Sequence, residues 1–432
     1  MKSCLKALAG PLALVSVLAG GGSATALGES CAGDRLCPGF VVSADTLDAN
    51  LEKTFEGYRL ADLIPPQRQR EIRETGLTLT LARPRPYPRH DRFEAATARH
   101  AGDVVFHPET NDVTGWKAGV PFPEIDPETD PHAAAKVIWN VVRGRDRGDT
   151  LDQPVFAFIL IDGASGIERV QHWGYRRFAM KGLVASPRGP VLGDGTIFDK
   201  ELLFSIAPQD IKGLGTFTVH YDNGQYNDVW AYVREVRRTR RLTGASWMDA
   251  VGGTDWLTDD LLTFGAYPAW YESYNYLGRT TILGIAHAAV PVWDTSASTR
   301  RAEFPTLDVT SPPYWNFRET WEPRAVHVVE AIPPEEHPYL KKIMYVDAKT
   351  WNSYGNFIFA KNGEHFKTQT FAFRPWPLAD KPDQFGNIDV AATMIDFERN
   401  HATAFVVTSD LTLNAPLKEE DISLPALEAM GR

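Results

Sequence analysis

Hydrophobic and polar positions alternate along residues 215–242. Phe217, Val219 and Tyr221 alternate with Thr216, Thr218 and His220, a period of two that predicts a half-buried β-strand. Asp222-Asn223-Gly224 tolerates positive φ and predicts a tight reversal into a hairpin. The returning strand, Tyr226 to Val233, is apolar on both faces, with Val229, Ala231 and Val233 on one and Trp230 and Tyr232 on the other. A strand without a polar face must be covered on both sides or must face something apolar that is not protein. The next strand carries Arg234, Arg237, Arg238, Arg240 and Arg241. An apolar wall thus runs into a cationic one within a single meander. Two readings fit: a cavity wall for a hydrophobic molecule with an acidic head, or an ordinary sheet with a charged edge.

The same alternation predicts strands at Leu77–Leu81, Phe156–Ile161, Val170–Val184, Phe198–Ala207, Arg279–His287, Trp315–Trp321 and Ala325–Ile332. A further meander is expected over Lys342–Val346, Phe357–Ala360 and His365–Phe373, with Asn362-Gly363 as a hairpin turn. Ala391–Phe397 and Thr403–Ser409 form a last pair. Phe93–His107 reads as strand and turn, and Ser43–Tyr58 has mixed helical character. Only two stretches switch clearly to a helical period. In the first, Asp130 and Pro131 open and Gly144 closes a helix whose Ala134, Ile138, Val141 and Val142 share one face. The second is a closing helix within Lys418–Met430, with Ser423 as its cap and Pro425 early. Residues 244–278 lose alternation and read as a long loop with short helices, rich in Gly and aromatics. The pattern predicts a β-dominated, antiparallel fold with few helices.

Lys2 and Lys6, an apolar run from Ala7 to Ala19, and Ala24-Thr25-Ala26 fit a secretory signal cleaved after Ala26. The run is short and broken by Gly10, Pro11 and Gly20–Gly22, which argues against a membrane anchor. The mature chain is therefore expected to be soluble and exported, in keeping with a periplasm. The 45 Lys and Arg against 55 Asp and Glu give a net charge of −10, and loss of Lys2 and Lys6 takes it to −12. Such acidity makes nucleic acid a poor partner. Cys31 and Cys37 remain after cleavage and are expected to form a disulfide across a small N-terminal loop, because the compartment is oxidising and the spacing is not Cys-x-x-Cys. No linker or repeat divides the rest. Three segments are expected: the signal at 1–26, an N-terminal arm with the Cys31–Cys37 loop at 27–58, and one β domain at 59–432.

Candidate chemistry is sparse. The sequence has no His-Glu-x-x-His, no phosphate loop and no Gly-x-Gly-x-x-Gly after a strand. Ser165, in Gly163-Ala164-Ser165-Gly166, misses the nucleophile elbow by one residue and reads as a turn. His100 and His107 lack partners at metal-ligand spacing and read as surface residues. Asp255, Asp259 and Asp260 offer either paired carboxylates for a hydrolase or cation site, or loop capping. The 12 tryptophans suit sugar stacking or an apolar cavity.

Several of these stretches together resemble a known group. Asp228-Val229-Trp230-Ala231-Tyr232, then Arg237-Arg238 and Arg240-Arg241, then Gly253-Thr254-Asp255 and Thr258-Asp259-Asp260 are similar to exported proteins described as outer-membrane lipoprotein-sorting proteins, in the LolA/LolB-like superfamily. Within it the match is to a long family of unknown function. That family also has a Gly-x-Pro-Phe-Pro stretch, matched by Gly119–Pro123, and a helix matched by Lys136, Trp139 and Asn140. The resemblance runs from about Leu60 to Leu427. It implies an unclosed antiparallel β-barrel with helices plugging its concave side, an acyl chain or lipid-like cargo, association with an RND-type exporter or outer-membrane protein, and no catalytic residues, metal or cofactor.

The expected fold is therefore mainly β with helices (α+β), a large curved sheet. The expected function is a periplasmic carrier or chaperone for a hydrophobic, acyl-bearing ligand. Alternatives are a structural or adaptor subunit of an envelope export assembly, and a periplasmic hydrolase using Asp255, Asp259 or Asp260. From alternation, the expected ligand-lining residues are Phe217, Val219, Trp230, Tyr232, Tyr345, Phe357 and Phe359. Only one face of each strand can point inward, so not all of them can line one cavity. Arg237, Arg238, Arg240 and Arg241 are expected to meet an anionic head group or an acidic partner.

Overall fold

The structure is a computed structural model that describes residues 33–88, 90–233, 237–242, 247–289 and 304–431. The targeting segment, Cys31 and Arg234 lie outside the described residues. Cys37 is described and is not a free thiol.

Thirteen strands carry the fold. They are β1 (Thr150–Asp162), β2 (Gly166–Ala179), β3 (Ile197–Ala207), β4 (Gly215–Tyr221), β5 (Asp228–Val233), β6 (Arg238–Arg241), β7 (Ser273–Gly284), β8 (Thr320–Ile332), β9 (Lys341–Asp347), β10 (Ser353–Phe359), β11 (His365–Leu378), β12 (Lys381–Asp396) and β13 (His401–Val407). All pair antiparallel, in the spatial order β7-β8-β9-β10-β11-β12-β13-β1-β2-β3-β4-β5-β6. The order is the chain order, cut between β6 and β7 and rejoined where β13 pairs β1, with Phe405 opposite Phe158. The sheet is large and not closed into a barrel. Short parallel additions at Leu79–Leu81 and Thr412–Leu413 make it mixed rather than purely antiparallel.

One face of the sheet is covered by the N-terminal arm. Ala157, Ile159 and Ile161 of β1 and Ala402, Ala404 and Val406 of β13 belong to one buried core with Leu47 and Phe55 of the arm and Leu60, Leu63 and Ile72 just after it. These small and β-branched residues let the arm approach closely, and each buried aliphatic side chain contributes about 1.5–3 kcal/mol. The core takes residues from both sides of position 58, so arm and sheet share one interior.

Among the described residues, four α-helices exceed one turn: α1 (Pro66–Thr75), α2 (Asp91–His100), α3 (Ala133–Arg143) and α4 (Leu424–Met430). Helix α3 packs Val137, Ile138 and Val141 on the other face of the sheet, against Val329 and Ala331 of β8 and Met344 and Val346 of β9. Its expected end holds, with the Gly144 N–H closing the last turn on Asn140, but it starts at Ala133 behind His132 rather than at Pro131, because Asp130 spends its carboxylate on a turn, accepting the His132 N–H at 2.9 Å and pairing with Lys136 at 2.6 Å. Ser423 caps α4 by accepting from Ala426.

Three expectations need correction. Residues 93–100 are helical rather than extended, because Asp91 and Glu94 in the first turn and Arg99 and His100 in the last complement the helix dipole. Strand β7 begins at Ser273, inside the stretch read as loop, because Tyr274 and Tyr276 alternate with polar Ser273 and Asn275. Strand β2 stops at Ala179, short of Val184. Helix α1 was not signalled by any clear apolar period; only Ile72, Arg68 and Glu71 of its ten residues are buried.

Candidate functional site

The strand register decides what faces the inside. Phe156 and Phe158 of β1 alternate with the arm-facing Ala157 and Ile159, so their rings leave the sheet on the opposite side. Across the ladder, Phe156 is opposite Trp173 and Val407, and Phe158 is opposite Gln171 and Phe405. The same face continues through two rows: Tyr175, Leu203, Thr216 and Ala231, then Arg177, Glu201, Thr218 and Val229. Asp199 and His220 stand opposite each other at the end of this face. Phe371 and Ala392, cross-strand neighbours on β11 and β12, extend it on the other side.

The connection from β6 to β7 is the lid of this face. Among its described residues, Trp247, Trp256 and Phe264 are buried and look onto the cavity below. Asp259 and Asp260 are fully buried and anchor the connection to the sheet. Lys342 of β9 sits 2.6 Å from Asp259 and 2.7 Å from Asp260. His337 lies 3.2 Å from Asp259, and the hydroxyls of Tyr271 and Tyr339 donate to Asp259 and Asp260. Burial alone would raise Asp259, but Lys342 and His337 hold its carboxyl below the usual carboxylate range. Burial would likewise lower Lys342, and the two carboxylates raise it instead. A second anchor is Asp255, which accepts from Thr403 at 2.7 Å and lies 2.7 Å from His401 Nδ1. A third is Arg145, which donates to the Leu262 carbonyl and to Thr263 while pairing with Asp389 at 3.1 Å.

Between sheet, connection and helix α3 lies a cavity of about 660 Å³. Its wall is mostly aromatic and aliphatic, with Phe156, Phe158, Trp173, Trp256, Phe371 and Phe405 among its rings. One end is polar. There Arg177 donates to Asp199 at 2.7 Å, His220 Nδ1 lies 2.7 Å from the other Asp199 oxygen, and Tyr175 donates to Glu201. Burial alone would lower His220, but Glu201 and Asp199 raise it. Asp199, Glu201 and His220 bring ligand atoms within 4.8 Å of one another, a spacing a metal ion would accept. Their atoms are already committed to Arg177, Tyr175 and each other.

Phe217, Val219 and Trp230 stand on the opposite face of the β4–β5 hairpin. Phe217 stacks on Trp230, and with Val219 and Tyr232 they pack against Ile422 and Leu427 beneath helix α4. Of the four expected there, only Tyr232 also borders the cavity. The cavity takes the less hydrophobic face, Thr216, Thr218 and His220 with Val229 and Ala231. The greasier face went to the protein's own C-terminal helix, because a permanently covered face tolerates no polar group without a partner.

Phe357 and Tyr345 also lie away from the cavity. Phe357 borders a separate void of about 10 Å³ beside Arg68, whose guanidinium sits between the Phe357 and Trp321 rings. The Tyr345 ring meets Phe357 edge-on, and Phe359 packs near His365 under Lys341. Arg238, Arg240 and Arg241 lie on the edge strand; Arg238 and Arg240 are exposed and Arg241 pairs with Asp228. Arg237 is exposed in the turn before that strand. None of the four arginines borders the cavity.

Residues that the sequence did not single out form the other side of the site. Arg143, Arg145 and Arg147 follow one another at every second position where helix α3 gives way to β1. Their signal was legible as a charge alternation directly after an apolar helix. Arg143 pairs with Asp222 at 2.9 Å and lies over the Phe198 ring, 3.6 Å from its centroid.

Solved structures similar to this chain include an outer membrane lipoprotein-sorting protein domain from Vibrio parahaemolyticus, 17% identical over 65% of this chain and 92% of that one, with a TM-score of 0.43. A DUF1329 family protein from Desulfovibrio piger is 14% identical over 65% and 92%, with a TM-score of 0.44. A LolA superfamily protein from Nitrosomonas europaea is 10% identical over 68% and 98%, with a TM-score of 0.39. No curated protein matches the chain. The family model described as a protein of unknown function, DUF1329, spans residues 49–423, from the arm through the last strand of the sheet, and the chain belongs to that family.

Proposed function

We propose that this protein is an exported, periplasmic carrier or chaperone that holds a hydrophobic, acyl-bearing or lipid-like ligand on the inner face of its sheet. The observation that carries this reading is the cavity of about 660 Å³ walled by Phe156, Phe158, Trp173, Trp256, Phe371 and Phe405. Its size falls within the range of about 300–1,000 Å³ typical of small-molecule sites. Burying an alkyl chain there contributes about 0.8 kcal/mol per CH₂, and no bond need be made or broken. The carboxylates that would serve a hydrolase are spent otherwise: Asp259 and Asp260 are clamped by Lys342, and Asp255 by Thr403 and His401. The exposed Arg238 and Arg240 then serve an acidic partner rather than the ligand, an RND-type exporter or an outer-membrane protein by the family resemblance.

The test is native mass spectrometry of the protein from a detergent-free periplasmic extract, repeated after solvent extraction. A stoichiometric hydrophobic adduct released by solvent is expected, and its mass names the cargo class. A clean unliganded mass, together with no binding of a fluorescent fatty acid, would overturn the carrier and leave the adaptor subunit.

A further inference from the structure

The three arginines after helix α3 differ in one respect. Arg143 has Asp222 and Arg145 has Asp389 as a carboxylate partner. Among the described residues, Arg147 has neither an ion pair nor a hydrogen bond, although it is half-buried and lines the cavity. A guanidinium is charged at every physiological pH, and holding one away from water without a counter-charge is costly. The cost shows in its acidity: burial, with the positive charges of Arg177 and Arg145 added, pushes Arg147 down to about 10.

None of the neighbouring acids pairs with it. Asp199 is matched by Arg177 at 2.7 Å. Glu201 accepts from Tyr175 and has His220 4.0 Å away, and Glu201 favours the protonated imidazole. Asp260 and Asp389, which also border the cavity, turn to Lys342, shared with Asp259, and to Arg145. Asp249 borders the cavity but is exposed to solvent. Arg147 thus has no carboxylate at ion-pair distance among the described residues, and it stands at the polar end of an otherwise aromatic chamber.

Resting on the carrier reading above, we propose that Arg147 anchors the head group of the ligand, and that the ligand is an amphiphile with one anionic group, a carboxylate or a phosphate, on an apolar body. A planar guanidinium matches both anions with two parallel N–H···O bonds. The aromatic wall takes the apolar body. Arg237, Arg238, Arg240 and Arg241 are not needed for the head group, since none of them borders the cavity.

Displacement of the neutral dye N-phenyl-1-naphthylamine from the full-length protein tests this, with dodecanoate, dodecyl phosphate and dodecanol as competitors of equal chain length. The wild type is expected to prefer at least one anion over the alcohol by about 10- to 100-fold, the span of one charge-assisted hydrogen-bond pair. The anion with the larger preference identifies the head-group chemistry. In Arg147→Gln the preference should vanish while dodecanol binds as before, and Arg147→Lys should restore part of it. Equal wild-type affinity for all three competitors would overturn the anchor and leave the carrier standing. Failure of the dye and all three competitors to bind would instead sink the carrier. The wild-type comparison decides the matter even if a variant does not fold.

Discussion

Lys342 Nζ lies 2.6 Å from an Asp259 oxygen with both side chains fully removed from solvent, and the pair joins a central strand to the connection that roofs the cavity. Removing one member of a buried pair leaves the other charge uncompensated, at a cost of about 3–5 kcal/mol. Lys342→Met leaves two carboxylates unmatched, since Asp260 shares the same ammonium. The expected result in urea denaturation is a lower midpoint by that free energy. A change below about 1 kcal/mol would mean that the connection is held elsewhere.

The two faces of the β4–β5 hairpin should separate stability from binding. Phe217→Ala empties a site beneath helix α4 and should destabilise by about 3–5 kcal/mol while leaving affinity for the naphthylamine dye intact. Ala231→Trp, on the cavity face, should weaken dye binding at least about tenfold. The reverse pattern, with binding lost in Phe217→Ala, would place the ligand on the other face.

The pH dependence has a defined sign at His220. Asp199 and Glu201 raise its pKa on folding against the opposing effect of burial. Its contribution is complete below the ordinary value of 6.5 and is lost as pH rises through the folded pKa. Thermal melts from about pH 5 to about pH 9 should show the wild type losing stability above 6.5 more steeply than His220→Gln. Parallel curves would remove His220 from the network.

Asp255→Asn tests the hydrolase alternative. The residue accepts from Thr403 and contacts His401 in the buried anchor, so stability should fall by about 1–3 kcal/mol. Ligand affinity should remain. Loss of a measurable ester- or glycoside-hydrolysing turnover in this variant would argue for an enzyme instead.

The exposed edge arginines predict a contrast. Arg238→Ser with Arg240→Ser should change stability by no more than about 0.5 kcal/mol and leave amphiphile binding untouched. Lost capture of an acidic envelope partner would assign these residues to docking.

The strands were legible because alternation is a local property. Phe217 and Val219 alternate with Thr216 and Thr218 whatever lies above or below them. Which face meets the cavity was not legible, because helix α4, nearly two hundred residues later, decides it. Strand β7 was hidden for a related reason: its Tyr274 and Tyr276 lie in an aromatic stretch that masks the period. The acidic triplet was visible as a cluster, yet Lys342, the partner of Asp259 and Asp260, stands in a strand whose neighbours Ile343, Met344 and Tyr345 read as ordinary core. Arg147 was missed because an unpaired charge is a statement about what does not approach it, and no sequence spacing records that.

The pairing of β13 with β1 also has a consequence in time. Phe158 and Phe405 stand opposite each other although roughly 250 residues separate them, the kind of distant contact that slows folding. Until His401–Val407 arrives, the two halves of the sheet have no seam between them and Phe156, Phe158 and Trp173 have no opposite wall. A chain ending before that strand would carry two additional raw edges, a recognised route to aggregation. The walled cavity is thus among the last features the chain completes, and every molecule that has it has already finished its sheet.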